Sequence, residues 1–135
     1  YIIADVLQGE RVSEMIRIKN YALSVANNLR SVATLKLEVN QQEYEETAAG
    51  DGQYDAFMKA LQKIYQKLGK KLPELIDYMV TIPPGGRTDA LVETTITWKD
   101  DIREFKTRGL DPDQNVAAIK ATLRMLNVIE KNGDR

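Results

Sequence analysis

Chemistry near neutral pH draws first on histidine and cysteine, and this 135-residue chain has neither. The commonest general base, the commonest metal ligand and the reactive thiolate are therefore all missing. Carboxylates remain, most densely at Glu43, Glu45 and Glu46. Strand alternation is expected to set Glu45 apart from the other two, and such residues are ordinarily solvated charges. No catalytic residue and no metal ligand is assigned. A different chemistry is open at two glycine-containing turns, Gly50-Asp51-Gly52 and Gly109-Leu110-Asp111, each just ahead of a helical pattern. Backbone N–H groups at a helix start, together with the helix dipole, suit an anion such as a carboxylate.

The composition supports a folded binding module. Hydrophobic residues make up 43% of the chain and charged residues 29%, enough for one core and a soluble surface. The net charge of -1 provides no field for nucleic acid or an anionic membrane, so neither partner is expected. No apolar run approaches the roughly 20 residues that span a bilayer, and nothing reads as a signal peptide. The absence of cysteine fits a reducing compartment, and a cytoplasmic location is expected. The chain begins at Tyr1 rather than Met, and residues 1–14 read as a linker or the end of a preceding subdomain.

From Met15 the pattern becomes regular. Ile16 and Ile18 alternate with Arg17 and Lys19 toward Tyr21, as in a half-buried strand. Val32 to Val39 alternates again, Asn40-Gln41 turns, and Glu43 to Thr47 completes a hairpin, with Ala48 to Gly52 breaking the strand. A helix is expected over Gln53 to Leu68, because Phe57, Ala60, Leu61, Ile64, Tyr65 and Leu68 recur every three or four residues. Gly69 stops it and Pro73 marks the boundary. Strands follow at Leu75 to Ile82 and Ala90 to Trp98, separated by Pro83-Pro84-Gly85-Gly86. Asp100-Asp101 turns into a strand at Ile102 to Lys106 that Gly109 closes. Asp111 is expected as N-cap of a second helix, with Pro112 at its first position, reaching about Glu130.

Moving the first half by 61 residues superimposes it on the second without a gap. Thr34 falls on Thr95, Leu37 on Trp98, Tyr44 on Phe105, Gln53 on Gln114, Lys59 on Lys120 and Ile64 on Met125. The match joins strand period to helix period in one frame, so the chain reads as two βββα units, 15–70 and 71–131. One such unit cannot bury both a helix stripe and a sheet face. The expected fold is α+β: two tandem repeats about a pseudo-twofold axis, with helices on one side of antiparallel sheets. Edge strands are then left for pairing with a second copy as a homodimer.

Gly85-Gly86-Arg87-Thr88-Asp89-Ala90-Leu91-Val92-Glu93-Thr94, with Arg108 to Gln114 and Ala117 to Ala121, resembles the second half of the C-terminal regulatory domain of 2-isopropylmalate and citramalate synthases. Ala48 to Ala56 resembles its first half. The resemblance implies a non-catalytic module that senses an end product, leucine or isoleucine, and restrains a TIM-barrel catalytic domain of the same polypeptide. That barrel would condense acetyl-CoA with a 2-oxo acid using a divalent metal held partly by histidines. Nothing of that machinery is expected in this chain, and no cofactor.

A free branched-chain amino acid needs partners for both charged ends and an apolar slot. The helix starts at Gly50, Asp51, Gly52 and at Gly109, Asp111 suit its carboxylate, and Asp55 or nearby carbonyl groups could take its ammonium. Leu75, Tyr78, Ile82 and Val92 could form the slot. Leu75 and Tyr78 differ by an odd number, so a bulge, or a strand starting after Leu75, must bring them to one face. The resemblance implies that Tyr54, Pro112 and Gln114 join this pocket and that a bulky Ile82 leans it towards isoleucine. Without the resemblance, Leu75, Ile82 and Val92 read as core, Asp51 and Asp55 as dipole partners, the glycines as turn residues, and Trp98 as core or a dimer contact. The competing reading is a purely structural dimerisation module.

Overall fold

The computed structural model describes residues 16–24, 30–82 and 91–133. Met15, the segment 1–14 and the turn at Pro83 to Gly86 lie outside the described residues. The elements are β1 (Ile16–Ser24), β2 (Ser31–Val39), β3 (Gln42–Gly50), α1 (Gln53–Leu68), β4 (Glu74–Thr81), β5 (Val92–Lys99), β6 (Glu104–Asp111) and α2 (Gln114–Gly133). They form two antiparallel three-stranded sheets, ordered β1-β2-β3 and β4-β5-β6, each followed by its helix. The two-repeat α+β reading therefore holds.

Each element follows from a local pattern. In β2, Ala33, Leu35, Leu37 and Val39 are buried while their neighbours face outward. In α1, Ala56, Phe57, Ala60, Leu61, Ile64 and Tyr65 form one buried stripe laid over β2 and β3. Gly69 ends α1 in the left-handed conformation, φ 69°, which a glycine adopts without strain. Two residues, Asn40 and Gln41, close the first hairpin, both at positive φ (51° and 71°). That geometry matches the strand twist and favours Asn-Gly. In the second repeat, Asp100 plays the turn role differently. Its Oδ1 accepts from the N–H groups of Ile102 (2.8 Å) and Arg103 (2.9 Å).

Several expected boundaries move. β3 runs on through Ala48 and Ala49 to Gly50, and β6 starts at Glu104, leaving Ile102 in the turn. Gly50 and Gly109 are thus not turn glycines but strand residues, paired with Ser31 and Thr94. Their use is close approach: a Cβ on Gly109 would sit 1.9 Å from the Ala117 carbonyl, and one on Gly50 2.5 Å from the Ala56 nitrogen. The second helix begins at Gln114, and its cap is Asp113, not Asp111. Asp113 Oδ1 accepts from the N–H groups of Asn115 (2.7 Å) and Val116 (3.1 Å), while Asp111 ends β6. Glu43 and Glu45 share the outer face of β3 and Glu46 turns inward, pairing with Lys67; an even–odd count separates Glu46, not Glu45. Trp98 is core: its Nε1–H donates to Thr107 Oγ1, which itself donates to the Ala121 carbonyl.

The 61-residue offset holds through the hairpins and helices but becomes 57 in the first strand of each repeat. Tyr21 pairs with Leu35 and Tyr78 with Ile96, so Tyr78 takes the place of Tyr21. The β4–β5 connection is longer than β1–β2 by that difference of four. Both first strands carry a bulge, between Ile18 and Asn20 and between Leu75 and Asp77.

The repeats are joined by more than contact. Helix α2 reaches across to β1, where the Asn127 amide accepts from Ile16 N–H (3.1 Å) and donates to Ile16 C=O (3.2 Å). The helices meet through Tyr54, at the start of α1, and Thr122, midway along α2, and near their ends at Glu130. That carboxylate, only 4% exposed, accepts from Lys70 Nζ (2.6 Å) and Tyr65 OH (3.3 Å). Two substitutions test this packing by denaturant unfolding. Gly109→Ala is expected to cost about 3 kcal/mol by driving a methyl into α2. Gln41→Gly is expected to gain about 1 kcal/mol by relieving a left-handed glutamine.

Candidate effector site

The two helix starts, equivalent by the repeat, differ at the position that caps the helix. Gly52 stands where the second repeat has Asp113, and no side chain caps α1. The first turn of α1 therefore presents N–H groups that the helix itself cannot satisfy, as the ends of all helices do. The start of α2 is closed by the carboxylate of its own Asp113. Of the two turns that looked alike in sequence, only the one at Gly52 is open in this way.

Asp55 lies in that first turn of α1. Its Oδ2 accepts from Asp51 N–H (2.9 Å) and sits 3.2 Å from Lys59 Nζ. The Asp51 N–H first, and Lys59 with it, hold the Asp55 carboxyl below the usual carboxylate range. Asp55 is charged and half-exposed, with part of its hydrogen-bonding capacity spent on the turn.

Tyr54 is the hinge of the arrangement. Its ring lies 5.8 Å from Tyr78 of the other repeat and 6.2 Å from Phe57, stacked at 16°. Tyr21 meets Phe57 edge-on at 6.2 Å, so four aromatic rings run across the junction of the repeats. The Tyr54 hydroxyl is within 2.5 Å of Thr122 Oγ1. Burial, and secondarily the neighbouring Tyr78, pushes the Tyr54 hydroxyl well above the ordinary phenol range, although Thr122 opposes this. Burial and then the Glu130 charge do the same to Tyr65. Alongside, Gln53 Oε1 accepts from Asn115 Nδ2, which ties the helix starts together.

The strand wall is β4. The bulge after Leu75 brings it onto the face that carries Tyr78, since Leu75 opposes Trp98 and Tyr78 opposes Ile96 on one side of β5. Val80 opposes Thr94 on that face. This wall is poorly covered: Leu75 and Val80 are each 37% exposed and Ile82 69%. Val92 is half-buried and pairs with Asp111, the residue before exposed Pro112. Tyr54 and Tyr78 are thus in contact, and Val92 lies across the ladder from the residue before Pro112, while Gln114 opens α2. Leu75 lies at the opposite end of the wall, about 20 Å of strand from Val92, more than one amino acid covers. Val80 and Thr94 were missed in the sequence, although each is two residues along from a chosen one, Tyr78 and Val92. A separate open groove, lined by Lys71, Lys99, Asp100 and Asp101, sits at the far end of β4 and contains none of the candidate residues.

The profile of the LeuA allosteric (dimerisation) domain family matches residues 1–130. The chain belongs to this family. Relatives agree. A protein of Archaeoglobus fulgidus described as an (R)-citramalate synthase is 30% identical over 95% of this chain and 25% of its own length. The 2-isopropylmalate synthase of Aquifex aeolicus is 33% identical over 84% of the chain and 21% of its own length. That of Methylorubrum populi is 37% identical over 82% and 21%. The chain spans about a quarter of the length of the curated relatives it matches. The family is an allosteric and dimerisation domain, and it is to that part of these synthases that the chain is similar. Among the described residues no helix is long and apolar enough to cross a membrane.

The ionisable groups predict a stability profile with two edges. Asp55, Asp100 and Asp111 have lowered carboxyl pKa values, each first because of a backbone N–H bond. Their contribution is present above the ordinary carboxylate value, about 4, and is lost as pH falls further. Tyr54, Tyr65 and Tyr21 are raised, so their contribution is present below about 10 and lost as pH climbs beyond it. An absorbance titration of the phenolates is expected to show Tyr54 and Tyr65 ionising only as the chain unfolds.

Proposed function

We propose that this chain senses a branched-chain amino acid, isoleucine or leucine, and transmits end-product feedback inhibition to the catalytic barrel of a 2-isopropylmalate or citramalate synthase. The observation that carries the reading is the uncapped start of α1 at Gly52, set beside an incompletely covered apolar strand face. The carboxylate goes to the N–H groups of that helix turn. The branched side chain lies on Tyr78, Val80, Ile82 and Val92, and Tyr54 joins the two parts. The bulk of Ile82 favours isoleucine, a discrimination of about 1–3 kcal/mol at most. Inhibition requires only that the amino acid prefer one arrangement of the domain, typically by about 1–3 kcal/mol.

The parent enzyme on this reading is a cytoplasmic acyltransferase joining acetyl-CoA to a 2-oxo acid. The divalent metal implied for its barrel finds no fit in this chain. There is no histidine or cysteine, and among the described residues no three carboxylates cluster. No step is therefore assigned to a metal here.

Isothermal titration of the domain with isoleucine, leucine and valine tests the proposal. Isoleucine or leucine is expected to bind with a dissociation constant below millimolar. Binding of none of them sinks it. Gly52→Asp, which installs the self-cap of the second repeat, is expected to weaken binding at least tenfold while keeping the fold.

A second reading is favoured by the outward faces of Ile76 and Met79 together with Leu75 and Val80. Apolar residues on both faces of an edge strand suit pairing with another copy. We propose that the domain is a homodimer joined along β4. Sedimentation is expected to show Met79→Lys shifting the population toward monomer.

A further inference from the structure

Thr94 is the described residue whose chemistry the fold does not explain. It lies at the middle of the candidate wall, on the inner face of β5, opposite Val80 on one side and Gly109 on the other. It is 0% exposed, and its Oγ1 has no hydrogen-bond partner among the described residues. An unpaired buried hydroxyl is a cost that native structures seldom carry without reason.

The other repeat shows that packing does not require it. The equivalent position is Ala33, equally buried, between Leu23 and Ala48. An apolar residue therefore fills the same place in the same sheet. Two other core threonines behave differently: Thr107 donates to the Ala121 carbonyl, and Thr122 donates to the Ala118 carbonyl. Thr94 could be replaced by valine with no hydrogen bond lost to any described residue.

Its neighbours are those of the effector site. Val92 is two residues away on the same face, Val80 is directly across, and Tyr78 is opposite Ile96 on that face, next to Tyr54. With the carboxylate held at the α1 start and the side chain on the strand wall, the ammonium is the end of the amino acid still in need of an acceptor. Asp55 Oδ2 is engaged with Asp51 N–H and Lys59, which leaves its Oδ1 for one of the three ammonium N–H groups and the others in need of further acceptors. We propose that the Thr94 hydroxyl is an acceptor for the effector's ammonium, reached when β4 shifts aside at Val80. The bond would exist only in the shifted arrangement, which is the differential contact that a coupling between ligand and conformation requires. This inference rests on the amino-acid-sensing reading.

The test compares the wild-type domain with Thr94→Val and Thr94→Ser, using isoleucine and its des-amino analogue, 3-methylpentanoate. Thr94→Val is expected to melt at or above the wild-type temperature without ligand and to bind isoleucine about tenfold more weakly, one hydrogen bond's worth. Thr94→Ser is expected to bind isoleucine like the wild type. The analogue, which has no ammonium, is expected to bind both wild type and Thr94→Val equally. Equal isoleucine binding by wild type and Thr94→Val overturns the inference and leaves the sensing reading intact. A Thr94→Val domain that melts lower, with unchanged affinity, also overturns it, by showing that the hydroxyl is used within the protein. A wild-type domain that binds no branched-chain amino acid overturns both.

Discussion

A single helix covers only two strands of a three-stranded sheet, and this shortfall organises the molecule. Helix α1 lies over β2 and β3, and α2 over β5 and β6, so the inner faces of β1 and β4 need another cover. For β1 that cover is α2, which crosses from the second repeat and takes up both backbone groups of Ile16 with the Asn127 amide. The result is one shared core, in which Leu35, Phe57 and Ile64 of the first repeat pack in the same cluster as Ile96, Trp98 and Met125 of the second. Each helix buries its stripe on its own sheet, but hydrophobic burial, the largest favourable term, is completed in either repeat only by the other.

Repetition sets up the frame, and departures from it create the places where function can reside. Strand β4 receives less cover than its counterpart β1, and its apolar residues stay partly in water. Gly52 replaces the capping Asp113, which leaves one of two equivalent helix starts open. Thr94 replaces Ala33 and introduces a hydroxyl that the core does not use. All three asymmetries fall around the junction of the repeats. A fourth, Glu130 in the place of Gly69, lies at the other end of the helix pair. There it holds Lys70 and Tyr65 and fixes the repeats to each other. Loss of one partner of such a buried carboxylate is costly, which makes it a firm anchor away from the proposed site.

The fold was legible because its signals are local. Alternation in Ala33 to Val39 and the three-and-four spacing from Phe57 to Leu68 needed only neighbours along the chain, and the 61-residue match only the chain set against itself. Errors arose where a residue's meaning depended on what packs against it. Gly109 read as a turn glycine, but it is a strand residue that leaves room for the Ala117 carbonyl. Asp111 read as the cap of the second helix, but β6 continues to it and Asp113 takes the role. Leu75 and Tyr78 conflicted by parity until the bulge reconciled them.

Sequence alone determined the two-repeat βββα plan and the lack of thiol and imidazole chemistry, because residue type and period carry that information; the family came from similarity to its other members. Tertiary structure decided which of two similar turns is open, which face of β4 meets water, and that Tyr54 and Tyr78 touch across the repeats. Those outcomes turn on distances between residues far apart in the chain. Only the closing of one core around both repeats sets them.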